Sequence, residues 1–115
     1  MKKNWIFCAG LFFSQMSWAV PLTQGEYDAQ VKSLYERLDR SQSDLNRALD
    51  SRDQHQNIIK KACVYASNMR NLQKLSQDNI NLEKAADEFE FVKGLIRTFD
   101  VSFRELGTSY QQSCK

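Results

Sequence analysis

From Tyr27 to Met69 the chain sets Tyr27, Val31, Leu34, Leu38, Ser41, Leu45, Ala48, Arg52, His55, Ile59, Ala62, Ala66 and Met69 at alternating steps of four and three. That spacing is a heptad seam on a helix, and no period-two strand pattern competes with it over a comparable length. A seam of this period winds against a partner helix in a left-handed supercoil. A second seam follows through Leu82, Ala85, Phe89, Val92, Ile96, Phe99, Phe103, Leu106 and Tyr110, again in threes and fours. Little interrupts either one: Pro21 is the sole proline, and Gly25, Gly94 and Gly107 are the only glycines after Gly10. So few breakers permit long helices, and the fold class is all-α.

Local signals set the expected ends. Thr23 and Glu26 stand in capping-box spacing, which starts a helix near Gln24. Ser76-Gln77-Asp78-Asn79-Ile80-Asn81 gathers side chains that compete with the helix for backbone hydrogen bonds and reads as a connector. Gly107 is suited to the left-handed residue that follows a helix end. The chain is thus predicted as a helix over 24–75, a helix over 82–106 and an irregular tail over 107–115. Residues 55–75 and 82–106 should form an antiparallel, coiled-coil-like hairpin. A turn centred between Asp78 and Asn79 would set Phe89 opposite Ser67, Val92 opposite Tyr65 and Ile96 opposite Lys61. The large residues of the second helix would then meet Ala62 and Ala66, the interdigitation a packed helix pair requires. Exposed positions carry opposite charges at helical spacing, as in Asp28 with Lys32 and Glu36 with Arg40.

The segment 23–52 has a seam that the second helix is too short to cover. Ser51-Arg52-Asp53-Gln54 has a capping-box form, and Ser41, Arg52 and His55 weaken the seam nearby, so a break at 51–54 would give a compact three-helix bundle. With neither Gly nor Pro at 51–54, the unbroken helix is favoured. It leaves Tyr27, Val31, Leu34, Leu38 and Leu45 as a stripe without a partner. Burial of such a side chain is worth roughly 1.5–3 kcal/mol, so the unbroken helix makes this stripe a candidate interface for a second copy or another protein.

The start of the chain is of another kind. Lys2 and Lys3 precede an apolar run from Trp5 to Met16, and Ser17-Trp18-Ala19 has the small-x-small form of a signal-peptidase site. A membrane span needs about 20 apolar residues, and this run is shorter. Residues 1–19 are expected to be a signal peptide and 20–115 a single helical domain. Cleavage removes two of the 16 basic residues and leaves as many Lys and Arg as there are Asp and Glu, 14. A balanced chain has neither the basic excess of a nucleic-acid binder nor the cationic face of a membrane-surface helix. Neither nucleic-acid binding nor stable membrane insertion after cleavage is expected.

Of three cysteines, Cys8 leaves with the signal peptide, and Cys63 and Cys114 remain. In an exported chain such a pair reads as a disulfide. It would close a loop of about 50 residues, worth roughly 4 kcal/mol in the chain-entropy treatment. The tail must climb roughly 18 Å beside the hairpin to reach Cys63, and seven extended residues span about 24 Å.

No catalytic, metal or cofactor constellation stands out. His55, the single histidine, reads as a rim residue, because metal ligation or a nucleophile triad would need partners around it. Asp87, Glu88 and Glu90 read as a solvated face, and Phe89, Phe99, Phe103 and Tyr110 as core. Phe91 and Leu95 lie off the seam and widen the apolar face for a third helix or a partner. The expectation is a non-enzymatic helical interaction protein of the bacterial envelope, periplasmic or secreted, either an adaptor or chaperone-like. Its partner would be another protein, or a second copy through the N-terminal helix. The rivals are an inhibitor of an envelope or secreted enzyme and a small envelope hydrolase.

Overall fold

The computed structural model describes residues 21–114, so the expected signal peptide lies outside the described residues. Among the described residues three long helices and one short one follow in order: α1 (Gln24–Asp50), α2 (His55–Asp78), α3 (Ala85–Glu105) and α4 (Tyr110–Ser113). The helix expected over 24–75 is therefore two helices. The chain folds back at 51–54, and the three-helix bundle is the architecture formed. α2 is central. It packs antiparallel against α1 along one side and against α3 along another, and α4 rests on it as well. α1 and α3 consequently run in the same direction.

The ends of these helices have local causes. At the start of α1 the capping box is closed: the Glu26 amide donates to Thr23 Oγ1 at 3.1 Å, and the Thr23 amide donates to Glu26 Oε1 at 2.9 Å. Ser51 and its neighbours do not form a second box. Ser51 is instead the C-cap of α1, and its hydroxyl donates back to the Ala48 carbonyl. Arg52 adopts φ +55°, the Arg52 amide donates to Leu49 O at 3.2 Å, and the Asp53 amide donates to Ala48 O at 2.9 Å. These are the two bonds of a Schellman ending, with arginine in the left-handed place usually held by glycine. α2 begins from Asp53, whose carboxylate accepts from the Gln54 amide at 2.7 Å and from Asn57 Nδ2 at 3.2 Å. Those two donors hold its carboxyl below the usual carboxylate range.

The stripe Tyr27, Val31, Leu34, Leu38 and Leu45 is not free. α2 covers it: Tyr27, Val31, Leu38 and Leu45 are buried in the core cluster with Ala62, Tyr65, Ala66, Met69 and Leu72, and Leu34 is half-buried against that cluster. Five side chains of this size could not remain in water, and folding back at 51–54 covers them within the chain. The polar seam residue Ser41 is buried too. Its hydroxyl bonds to Leu38 O at 3.0 Å and accepts from Asn68 Nδ2 at 3.1 Å, which fixes the register of α1 on α2.

The α2–α3 pairing keeps the predicted faces and shifts by a heptad. Tyr65, expected opposite Val92, meets Phe99 edge to face at 4.9 Å. The connector extends through Lys84, which takes φ +69° at the start of α3, so α3 begins at Ala85. A slip of seven residues preserves the seam, and Val92 is still fully buried. Asp28–Lys32 and Glu36–Arg40, the ion pairs suggested by spacing, do not close among the described residues; the pairs that form there are Asp44–Arg47, Lys74–Asp78 and, between α2 and α3, Arg70–Asp100.

The tail is ordered by three devices. α3 ends in a Schellman motif at Gly107 (φ +84°), with the Gly107 amide on Arg104 O at 2.9 Å and the Thr108 amide on Phe103 O at 3.0 Å. Ser109 then caps α4, the short helix that replaces the expected irregular tail. Cys114 is joined to Cys63, 51 positions earlier, with the two Cα atoms 5.3 Å apart. Tyr110 packs on α2, its ring under the Arg70 guanidinium at 3.7 Å and its hydroxyl 3.3 Å from Ser67 Oγ.

A candidate interaction groove

Because α1 and α3 both lie on α2 and run in parallel, a furrow follows the line between them. Its two ends differ in chemistry. At one end the entry to α1 is tied to the α2–α3 connector. Leu22 donates its amide to Asn79 Oδ1 at 3.1 Å, and Asn79 Nδ2 donates to Leu75 O at 2.9 Å. Gln24 Oε1 accepts from the Glu83 amide at 2.9 Å. Just inside, the fully buried Tyr27 bonds through its hydroxyl to Ser76 Oγ at 3.3 Å and to Glu88 Oε1. Burial above all, and then the hydrogen bond to Glu88, push the Tyr27 phenol up to about 12. Glu88, expected on a solvated face beside Asp87 and Glu90, is thus turned inward and half-buried, while those two neighbours are exposed. A cavity of about 310 Å³ opens here, with Asp28, Glu83 and Glu88 on its walls against Lys32 and Lys84.

Tyr35 of α1 and Phe91 of α3 face each other across the furrow, ring centres 6.5 Å apart. Burial, helped by the Glu88 charge, raises the Tyr35 phenol above its ordinary value. Beyond this pair the floor is Tyr65, raised by burial and then by the Asp39 charge. At the far end α1 and α3 leave an apolar cavity of about 280 Å³. Leu45 and Leu49 with the polar Asn46 form one wall, Phe99 and Leu106 with Ser102 the other, Ala62 also lines it, and Glu105 completes the lining. The small side chain at Ala62 leaves this space unfilled. Leu49 and Phe91 are large apolar residues left 45 % and 54 % exposed on the two rims.

The predicted site residues are dispersed relative to this furrow. Tyr27, Val31, Leu38 and Leu45 are core side chains, and of these Leu45 also reaches the apolar cavity. Cys63 and Cys114 are joined on the tail side of α2. His55 is exposed at the first position of α2. Among the described residues no group of three or more His, Cys, Asp or Glu side chains is placed to hold a metal ion, and no helix is long and apolar enough to cross a membrane. Leu49, Leu106 and Glu105 were not singled out by sequence as a site. Their signal was Leu49 falling off the seam, which is meaningful only once α3 is known to lie beside α1. No known protein family, curated protein or solved structure matches the chain.

Proposed function

We propose that the protein is an exported, non-enzymatic helical interaction protein of the bacterial envelope, acting as an adaptor or chaperone by binding another protein. The observation that carries this reading is the exposure of Leu49 and Phe91 on the rims of a furrow whose far end is an unfilled apolar cavity. Exposed aromatic and aliphatic anchors beside a concavity are the features that supply most binding energy at protein interfaces. Export is supported by the basic and apolar start of the sequence, by Ser17-Trp18-Ala19 and by the Cys63–Cys114 disulfide. The N-terminal stripe no longer supports a homodimer, since α2 already covers it.

The test is photo-crosslinking in living cells, with a photoreactive residue in place of Leu49 or Phe91 and, as a control, of the exposed Asn71 on α2. A discrete crosslinked protein from the furrow positions alone supports the reading. Recovery of uncrosslinked protein from all three positions, or from the cytoplasm with its first residues intact, removes it.

A further inference from the structure

We propose that the Cys63–Cys114 bond is a redox-operated latch: the active-site dithiol of a thiol oxidoreductase opens it in the folded protein, and the tail 108–114 then comes off α2 while the three-helix bundle stays closed. The α1–α3 furrow takes no part in this.

The tail is held by little else. After the Thr108 amide bonds to Phe103 O, its remaining backbone bonds are internal, from Ser113 to Ser109 and from Cys114 to Tyr110. The side chains of Thr108, Ser109, Gln112 and Ser113 also bond within the tail. Toward α2 the tail offers the Tyr110 hydroxyl beside Ser67 and the Tyr110 ring under Arg70. Toward α3 the same ring meets Phe103 edge to face, centres 6.4 Å apart. A helix of one turn has no stability of its own. Fixing the backbone of 108–114 costs more than one hydroxyl bond, one stacked guanidinium and one ring edge return. The covalent bond makes up the difference.

The bundle does not need the tail. Every buried apolar side chain among the described residues lies on α1, α2 or α3, from Tyr27 to Phe103. Tyr110 and Cys114 only pack half-buried against that core. Gly107, at φ +84° with open space around it, is a pivot on which the tail can turn without dragging α3. Neither cysteine is buried, and accessible disulfides are the ones that exchange in a folded protein.

The opening is a two-electron exchange. One thiolate of the dithiol attacks a sulfur of the bond and forms a mixed disulfide, and the other cysteine leaves as a thiolate and takes up a proton. The second thiolate of the dithiol attacks its own partner sulfur, closing the oxidoreductase disulfide and releasing the remaining cysteine, which is protonated in turn. Two electrons and two protons pass from the dithiol to Cys63 and Cys114. Opening uncovers one side of Phe103, which is 1 % exposed in the latched form, and leaves Arg70 to Asp100 alone.

Dithiothreitol is the probe, applied without denaturant to the processed protein purified with the bond closed. The rate of opening, read by alkylation and intact mass, should change less than about twofold with sub-denaturing urea. A bond reached only through global unfolding would open several-fold faster for each molar of urea, about fivefold for a domain of this size. After reduction the Ser113 and Cys114 amides should exchange about 100-fold faster, while Ala66, Met69 and Val92 stay protected. Reoxidation should restore the first pattern. In cells whose protein synthesis has been stopped, acid quenching and alkylation should recover both the closed and the doubly alkylated protein. Loss of the bundle on reduction, a tail that stays protected, a rate that climbs steeply with urea, or the closed form alone in cells would each overturn the proposal.

Discussion

The chain turns out of a long helix twice by the same hydrogen-bond pattern, once at Arg52 and once at Gly107. In both places the residue after the C-cap takes a positive φ and two amides return to the carbonyls of the last turn. The two corners differ in residue type and in the way the next segment is held. After Gly107 the chain is fastened by the Ser109 cap, the Tyr110 contacts and the Cys63–Cys114 bond. After Arg52 it goes directly into α2, whose N-cap Gln54 makes no side-chain cap and is held by its amide on the Asp53 carboxylate, and the apolar cavity lies close by. One corner is built from a permissive residue and stapled. The other is built from a strained residue and held by the packing of the two helices it joins.

The largest effect should come from removing the staple. Cys114→Ser is expected to destabilise the protein by about 2–4 kcal/mol, seen as a lower urea midpoint. Hydrogen exchange should show α4 released first, while the Arg52 corner keeps its wild-type protection. If both corners loosen together, the bundle unfolds as one unit and the two corners are not independent.

Alkaline pH should act on neither corner but on the raised phenols Tyr27, Tyr35 and Tyr65, and most of all on Tyr27. Tyr27 is raised to about 12 in the folded chain, against about 10 when unfolded. Between those values the unfolded state binds fewer protons than the folded state. The stability this phenol contributes is therefore complete below about pH 10 and lost as pH rises toward 12, with a slope of up to about 1.4 kcal/mol per unit. Tyr27→Phe should flatten that slope in urea titrations at pH 9 to 12. An unchanged slope would place the alkaline transition elsewhere.

These two corners also separate what was readable in the sequence from what was not. Gly107 announced its role, because glycine past the end of an apolar seam has few other uses. Arg52 does not: the sequence carries a cap pattern at 51–54, but arginine has no preference for a left-handed backbone, so nothing local marks the end of the helix there. The cost of leaving five seam residues in water was the stronger signal, and it was satisfied by α2 instead of by a partner. Lys84 hid the start of α3 for the same reason and moved the α2–α3 register by one heptad. Phe91 and Leu95 are legible in the sequence as apolar residues off the seam. The furrow that Phe91 borders requires knowing which helices lie side by side, which periodicity within each helix does not encode.

Exchange at Gly107 sharpens the first half of the comparison. Gly107→Val forces a β-branched residue to φ +84°, at a cost of about 1–2 kcal/mol. There is open space where the added Cβ would lie, so the cost is backbone strain and not a clash. Thermal melting should register it with the disulfide intact. A variant as stable as the wild type would mean that the staple, and not the Schellman ending, determines the path of the tail.

The smallest expected effect has the opposite sign, and it tests whether Arg52 is only tolerated. Its side chain is exposed and forms no ion pair among the described residues, so little in the folded chain is lost by removing it. Arg52→Gly relieves the left-handed strain, about 1 kcal/mol or somewhat more, and gives back part of that through the greater freedom of glycine when unfolded. The net gain should be about 0.5 kcal/mol, a rise of roughly 2–4 °C in melting temperature for a domain of this size. Arg52→Asn should fall between the two, since asparagine enters this conformation more readily than arginine. Arg52→Val should lower the melting temperature, because a β-branched residue at φ +55° is worse than arginine. If glycine destabilises while valine is neutral, the strain at the α1–α2 corner is not what the substitution relieves, and the arginine side chain itself must hold that corner closed.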